Sequence, residues 1–274
     1  MTYAAILTHV QVDSDSAPRL ACAVDMAERF GAALIGVGAE MVPPLAFDGG
    51  FYSLEADWAT AMRESIEGRL KLARANFKTA ANALGATATW ECGLQLPAPA
   101  VAAASRAADL IVAGGTSHKT DPYRDADAGE LALISGRPVL VAPPKGPALS
   151  GKRIVLAWKD TREARRALTD AMPFLESAEA VQVLAVCPEI DAKNARIQVD
   201  DVAAALKRRG AKAEAEVVVH THPDGFQILR QASQFGADLI VCGAYGHSRM
   251  GEWVFGGVTR DLLSQDERYL LLSH

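Results

Sequence analysis

The chain has 274 residues, half of them hydrophobic, with a formal net charge of −5 and a pI near 5.7. This length predicts one large domain or two ordinary ones, and the mildly acidic balance argues against a nucleic-acid-binding protein, which usually carries a basic patch. No run of 18 apolar residues and no basic segment before an apolar one occurs, so neither a transmembrane helix nor a secretory signal is expected.

The predicted elements come in the same order twice. The apolar segment 6–8 aligns with 154–156 at an offset of 148 residues, whereas Asp109-Leu-Ile-Val aligns with Asp238-Leu-Ile-Val at an offset of 129. The difference of 19 residues predicts an insertion in the first repeat, best placed at 41–60. This insertion is interpreted as a lid over a site, a partner-binding segment or a loop anchored by its aromatic residues, which are Phe47, Phe51, Tyr52 and Trp58.

Apolar runs with little polar alternation, typical of parallel strands covered on both faces, predict strands of the second repeat at 153–158, 181–187, 215–220, 238–243 and 268–273. Helical spacing before a glycine stop is found at Ile66, Leu70, Ala73, Phe77 and Leu84 before Gly85, and at Ile197, Val202, Ala205 and Leu206 before Gly210. Asp160 followed by Glu163 predicts a further helix start.

Strands alternating with helices predict an α/β fold with a doubly wound parallel sheet in each repeat. The Pro- and Gly-rich segment 143–151 predicts a linker between domains 1–146 and 152–274.

Three other patterns indicate no site. Residues 146–152 have the glycine and lysine spacing of a P-loop, but Arg153 stands where Ser or Thr is needed, so they are interpreted as linker. His220-Thr-His222 has no further metal ligand at a suitable spacing. The cysteines also match no metal spacing and are interpreted as buried free thiols in a reducing cytoplasm: Cys22, Cys92, Cys187 and Cys242.

The most informative stretch follows the fourth strand of the second repeat and reads Gly243-Ala-Tyr-Gly246-His-Ser-Arg-Met-Gly-Glu-Trp-Val-Phe-Gly256-Gly257-Val258-Thr259. Glycines at a strand end let the backbone approach a ligand, and a helix start offers an anion free amides and a favourable dipole. The pattern fits two interpretations. One is a phosphate site in the crevice beyond the strands, with donors from Gly243, Gly246, His247, Arg249, Gly256, Gly257, Val258 and Thr259. The other is that the glycines only shape a loop and the start of a helix.

This stretch resembles the nucleotide motif of the universal stress protein family, G-x2-G-x9-G-(S/T). Gly243, Gly246 and Gly256 match in register, Gly257 stands where the family usually has Ser or Thr, and Thr259 matches a second hydroxyl position. The resemblance extends over both repeats. It implies for each an open five-stranded parallel sheet, Rossmann-like and of the adenine nucleotide alpha hydrolase type, with strand order 3-2-1-4-5.

The resemblance also implies a pairing between the two repeats. In the family, fifth strands often pair antiparallel across a two-fold axis, and residues 139–141 and 270–272 are apolar enough for this. One chain is therefore expected to imitate a family dimer, as an intramolecular pseudo-dimer of its two domains. A homodimer of the whole chain is left open.

The family's other ligand segment is the loop after the first strand, where an Asp contacts adenine. The matching stretch here is Ala157-Trp158-Lys159-Asp160-Thr161, with Lys159 at the usual Asp position. Three interpretations stay open: Asp160 takes the acidic role one residue later, the backbone binds adenine, or the ligand is not adenine. A fourth makes Asp160 a helix cap.

The first repeat departs further from the motif. Its fourth strand ends in Gly114-Gly-Thr-Ser-His118, and the region Asp125–Glu130 replaces the later glycine pair. Acidic residues there repel phosphate. The hypothesis is that this domain has lost the nucleotide site and serves as a pseudo-symmetric partner.

Together, these features predict a cytoplasmic stress-response protein that binds an adenine nucleotide (ATP, ADP or AMP) in its second domain. It is expected to act by binding and signalling, without catalytic residues, and Mg²⁺ is expected to accompany ATP without a dedicated protein ligand. One alternative is a nucleotide-independent stress protein that binds protein partners or another small ligand. A weaker alternative, which rests on fold analogy, is a slow ATPase or an adenylate-transferring enzyme.

Overall fold

The structure is a computed structural model that describes residues 2–12, 16–44, 52–115, 121–145, 147–246 and 257–274. The first half contains strands β1 (Ala5–His9), β2 (Ala33–Glu40), β3 (Ala88–Leu94), β4 (Leu110–Gly114) and β5 (Val139–Ala142). Its helices are α1 (Ser16–Phe30), α2 (Tyr52–Ala80), α3 (Pro97–Ala104) and α4 (Ala128–Ile134).

The second half repeats this order after the linker. Its strands are β6 (Arg153–Ala157), β7 (Ala180–Cys187), β8 (Ala213–Val219), β9 (Leu239–Gly243) and β10 (Tyr269–Ser273). Its helices are α5 (Arg162–Asp170), α6 (Met172–Leu175), α7 (Ala192–Arg208), α8 (Asp224–Phe235) and α9 (Gly257–Leu263). None of the helices in the described ranges is long and apolar enough to cross a membrane.

All ten strands form one sheet in the order β3-β2-β1-β4-β5-β10-β9-β6-β7-β8. Each half therefore has the strand order 3-2-1-4-5, with parallel neighbours, and this prediction is confirmed. The halves join where β5 and β10 pair antiparallel, with Leu140 opposite Leu271, as was also expected. Both leucines have no solvent exposure, so this seam is part of the core.

Helices cover both faces of the sheet, which explains the continuous apolar strands. One core layer lies between the sheet and α1, α2, α5, α6 and α7, and the other lies under α3, α4, α8 and α9. A second contact joins the halves beside the linker. The rings of Tyr3, Phe30 and Phe174 pack together with centroids 5.0 to 5.8 Å apart, and the Arg29 guanidinium lies 5.6 Å from the centroids of Phe30 and Phe174.

Several local predictions are wrong in detail. Residues 52–60 of the predicted insertion belong to α2, because Leu, Glu and Ala in this stretch favour a helix. Phe47 and Phe51 lie outside the described residues. The first-repeat helix ends at Ala80, and Leu84 and Gly85 fall in a short 3₁₀ segment that a kink at Gly85 interrupts.

The buried face of α7 also differs from the prediction. It consists of Ala195, Val199, Ala203 and Leu206, whereas the Ile197 side chain is 55% exposed. Among the free cysteines, Cys22 and Cys242 are buried, Cys187 is half-buried and Cys92 is exposed. The prediction of a buried thiol is wrong for Cys92, because β3 is an edge strand whose residues are mostly uncovered.

Candidate functional site

A cavity of about 180 Å³ lies at the carboxyl ends of β6, β7 and β9, where ligands of open α/β sheets bind. The segments that form its wall are widely separated along the chain. They contribute Ala157, Trp158, Lys159, Thr161 and Ala164 from the end of β6 and α5, Leu184 and Val186 from β7, Asp224 and Ile228 from α8, Cys242, Gly243, Tyr245 and Gly246 from β9 and its loop, and Gly257, Val258 and Thr259 from α9.

Eight of the twelve predicted site residues line this one cavity: Ala157, Trp158, Lys159, Gly243, Gly246, Gly257, Val258 and Thr259. Asp160 is not part of the wall. The predicted donors His247, Arg249 and Gly256 lie outside the described residues. The geometry thus joins the first-strand loop to both glycine segments of the motif.

The loop after β6 is held by backbone and side-chain hydrogen bonds. The Trp158 amide donates to the Leu184 carbonyl at 2.7 Å and fixes the buried Trp158 against β7. Thr161 caps α5, because its hydroxyl accepts a hydrogen bond from the Ala164 amide at 3.3 Å. Asp160 instead pairs with Arg165 at 2.5 Å on the exposed side of the loop. The interpretation of Asp160 as the helix cap is therefore wrong.

Two described glycines of the motif, and Gly257 at its Ser or Thr position, have different surroundings. A Cβ at Gly243 would lie 2.6 Å from the Ala164 nitrogen, so this glycine lets β9 pack closely against α5. A Cβ at Gly246 would lie 3.0 Å from a Glu163 carboxylate oxygen. Gly257 has no described atom within 4 Å of a Cβ and faces open space. The glycine at position 243 therefore allows a close approach between two segments of the protein, and not between the backbone and a ligand.

Charge near the cavity is mixed. Burial opposes ionisation of the Glu163 carboxyl, but hydrogen bonds from Arg162, its own amide and Thr161 outweigh burial and lower its pKa. Glu163 is therefore an anion beside Gly246, paired with Arg162. Lys159 is exposed at the cavity, and this ammonium favours an anionic ligand.

Sequence reasoning missed the wall formed by β7 and α8. Leu184 and Val186 lie in the carboxyl-terminal half of a predicted strand. Because ligands bind at the carboxyl ends of strands, these two residues could have been predicted to line the cavity. Asp224, the first residue of α8, lines the cavity and pairs with His220 at 2.9 Å. No motif in the sequence indicated Asp224, because its position depends on how α8 packs on the sheet.

Side chains fill the corresponding crevice of the first domain. Gln11, which aligns with Lys159, is buried and donates to the Asp125 carboxylate at 2.8 Å. Its side-chain oxygen accepts a hydrogen bond from Arg19 at 3.0 Å. Arg19 lies so close to Gly114, the counterpart of Gly243, that a Cβ there would be 2.8 Å from the guanidinium.

The segment around Asp125 is also tied to the end of β2. The Met41 amide donates to the Tyr123 carbonyl at 2.9 Å, and the Arg124 guanidinium lies 3.9 Å from the carboxylate of the buried Glu40. Residues 121–125 are thereby anchored beside the strands, where the second domain has its cavity. Within the described residues, no group of three or more His, Cys, Asp or Glu side chains is arranged to hold a metal ion.

Comparisons with known proteins agree with the fold. Residues 151–265 match the model of the universal stress protein family. A universal stress protein from Archaeoglobus fulgidus DSM 4304 aligns with a TM-score of 0.71 and 14% identity, over 98% of this chain and 95% of that one. No curated protein matches the sequence.

Two Pseudomonas aeruginosa structures are also similar. A protein of strain UCBPP-PA14, provisionally named as a universal stress protein, aligns with a TM-score of 0.56 and 16% identity over 99% of this chain and 93% of that one. A functionally unknown protein of strain PAO1 aligns with a TM-score of 0.55 and 15% identity over 99% and 92%. At these identities the likeness shows the fold, which these proteins share along nearly their whole length.

Proposed function

Through residues 151–265 this chain belongs to the universal stress protein family, and on that premise we propose that its second domain binds an adenine nucleotide. The family and the fold support a role in the stress response. In this proposal the protein acts by binding and signalling, and the nucleotide is a ligand that it does not turn over.

One observation carries the proposal: a single cavity brings together segments 157–159, 243–246 and 257–259. Backbone amides at Gly257 and Val258 supply phosphate donors, and the described residues leave room for an anion at Gly257. The α9 end suits phosphate better than Gly246 does, because the Glu163 carboxylate lies beside Gly246.

Part of the cavity wall suits a flat, largely apolar group. This part consists of the apolar side chains of Trp158, Leu184, Val186 and Ile228. The Asp224 carboxylate accepts hydrogen bonds and matches a ribose hydroxyl or the amine of adenine. The described walls enclose about 180 Å³. Because ligand sites are typically about 300–1,000 Å³, a nucleotide would extend beyond these walls. Mg²⁺ would reach the site on the phosphates of ATP.

We further propose one nucleotide per chain. In the first domain, Gln11, Arg19 and Asp125 satisfy one another in the corresponding crevice. A ligand would have to break these buried hydrogen bonds, and breaking them leaves unpaired polar groups at a cost of about 1–3 kcal/mol each. This supports the hypothesis that the first domain has lost its site.

Native mass spectrometry of freshly purified protein, followed by titration with ATP, ADP and AMP, tests the proposal. Gly257→Asp places a carboxylate where no described atom lies within 4 Å of the Cβ, and it is expected to weaken binding at least about tenfold by repulsion of phosphate. Gly257→Asn has the same shape without the charge and is the matched control. It is expected to bind within a few-fold of the wild type.

The outcomes separate the alternatives. Two nucleotides per chain would overturn the assignment of a filled first domain. No binding of any adenine nucleotide up to millimolar concentration would favour a nucleotide-independent interaction protein. Phosphate release that disappears in Gly257→Asp but persists in Gly257→Asn would contradict a purely binding role and indicate a slow ATPase.

A further inference from the structure

Tyr245 lies in the loop between Gly243, the last residue of β9, and Gly246, in an unusual backbone conformation. Its φ angle is +59°, in the left-handed region that non-glycine residues rarely adopt. The neighbouring Ala244 is tied to the C-terminal strand. Its amide donates to the Ser273 carbonyl at 2.8 Å, and its carbonyl lies 3.0 Å from Nδ1 of His274. The loop backbone is therefore held on one side by β10.

The Tyr245 side chain crosses from the second domain to the first. Its hydroxyl lies against Gly129 in α4, so closely that a Cβ on residue 129 would overlap it. Burial and the nearby Asp127 carboxylate raise the pKa of Tyr245, which keeps the hydroxyl protonated. The Tyr245 ring packs on the same core layer as α4 and α9.

The Tyr245 hydroxyl is the nearest described atom to a Cβ built on Gly129. A Cβ there would also meet the Asp127 carboxylate at a tight 3.1 Å and Leu263 at an ordinary 3.4 Å. A glycine inside a helix is less favourable than alanine by about 1 kcal/mol. Among these contacts, the one with Tyr245 leaves the least room for a side chain at residue 129.

We propose that Tyr245 is a positioning residue for the loop 243–246, which we call the ligand loop. Through the contact of Tyr245 with Gly129, the first domain then helps to shape the binding site of the second domain. Tyr245 also lines the cavity, between Gly243 and Gly246. A left-handed non-glycine residue persists where its surroundings determine its conformation, and the contact with α4 supplies that constraint. The statement about ligand affinity rests on the proposed function, whereas the statement about loop order does not.

A double-mutant cycle tests the contact with two readouts, the hydrogen exchange of the 243–246 amides and the affinity for ATP. Gly129→Ala is expected to speed loop exchange and weaken ATP binding about threefold or more, since contacting residues couple measurably. In the Tyr245→Phe background the same change is expected to have a much smaller effect, because the overlapping atom is gone. Gly68→Ala, a helix glycine of the first domain with open space around it, is the matched control and is expected to change neither readout.

The outcomes of the double-mutant cycle separate the proposed contact from the proposed function. Equal effects of Gly129→Ala in the wild-type and Tyr245→Phe backgrounds would overturn the proposal, as would loop exchange unchanged from the wild type. If the wild type binds no adenine nucleotide, the proposed function fails, and the exchange cycle still decides whether the first domain orders the loop. Circular dichroism and thermal melts of all the variants exclude global unfolding as the cause of faster exchange.

Discussion

Gly243 and Gly246 are equivalent positions of the motif and Gly257 stands at its Ser or Thr position, but the three glycines have different physical roles. Gly243 lets β9 approach the α5 backbone, Gly246 faces the Glu163 carboxylate, and Gly257 borders open space. The spacing of these glycines along the sequence was enough to predict that all three line one cavity. Their individual roles were not predictable, because they depend on α5, which lies about 80 residues earlier in the chain.

His9 in the first domain is a second residue whose behaviour depends on its surroundings. It is fully buried, and burial and the Arg19 cation lower its pKa to about 3, against the opposing effect of its hydrogen bond to the Ala39 carbonyl. The unfolded state gains a proton below about pH 6.5, whereas the folded state stays neutral until about pH 3. Between these values the unfolded state binds more protons, so stability falls as the pH falls.

Urea unfolding at pH 7.5 and pH 5.0 checks this expectation. The wild type is expected to lose about 2 kcal/mol more than His9→Gln, which keeps a donor for the Ala39 carbonyl but does not titrate. Equal losses in the two proteins would show that other groups control the acid sensitivity.

At the scale of elements, the strands were the most predictable feature because their apolar runs are short and sharply bounded. The buried faces and the bounds of the helices were less predictable. In α7, Ile197 has the right spacing for the core but is 55% exposed, while alanines and Val199 face the sheet. Hydrophobicity alone misplaced this face, because a helix packed closely on a sheet favours small residues at the contact. The extension of α2 into the insertion was missed because offsets reveal added length but not its conformation.

The start of α5 offers a direct test of an element boundary. Thr161→Ala removes the side chain that caps the helix and is expected to lower the free energy of unfolding by about 1 kcal/mol. Asp160→Ala breaks only an exposed ion pair with Arg165 and is expected to change it by less than about 0.5 kcal/mol. Chemical denaturation of both variants decides the point. A larger loss for Asp160→Ala would make the aspartate the functional cap.

For the whole molecule, the seam between β5 and β10 determines what the halves do when separated. Residues 152–274 expressed alone would expose the edge of β10, whose residues Leu270–Leu272 are fully buried in the chain. An apolar free edge pairs readily with another strand. The isolated half is expected to form a homodimer through β10, measured by light scattering after size-exclusion chromatography. A stable monomer at micromolar concentration would contradict this expectation.

The seam was predictable as a pairing of two apolar strands, but the contact between Tyr245 and Gly129 was not. The two residues are 116 positions apart, and neither belongs to a recurring pattern. Only a continuous sheet across the seam brings α4 beside the loop that follows β9. The sequence therefore predicted the strand order and half of the residues in the cavity wall, and not the support that one half of the chain gives the other.

The covalent fusion of the two halves also affects how such a protein evolves. In a dimer of identical subunits, a mutation that fills one crevice fills both, so the ligand and the partner are lost or kept together. When both copies lie in one gene, each accumulates its own substitutions while the other stays under selection. Arg19 and Gln11 fill the crevice at Gly114 in one copy, whereas no described side chain crowds Gly257 in the other, and a duplicated and joined gene can retain this kind of divergence.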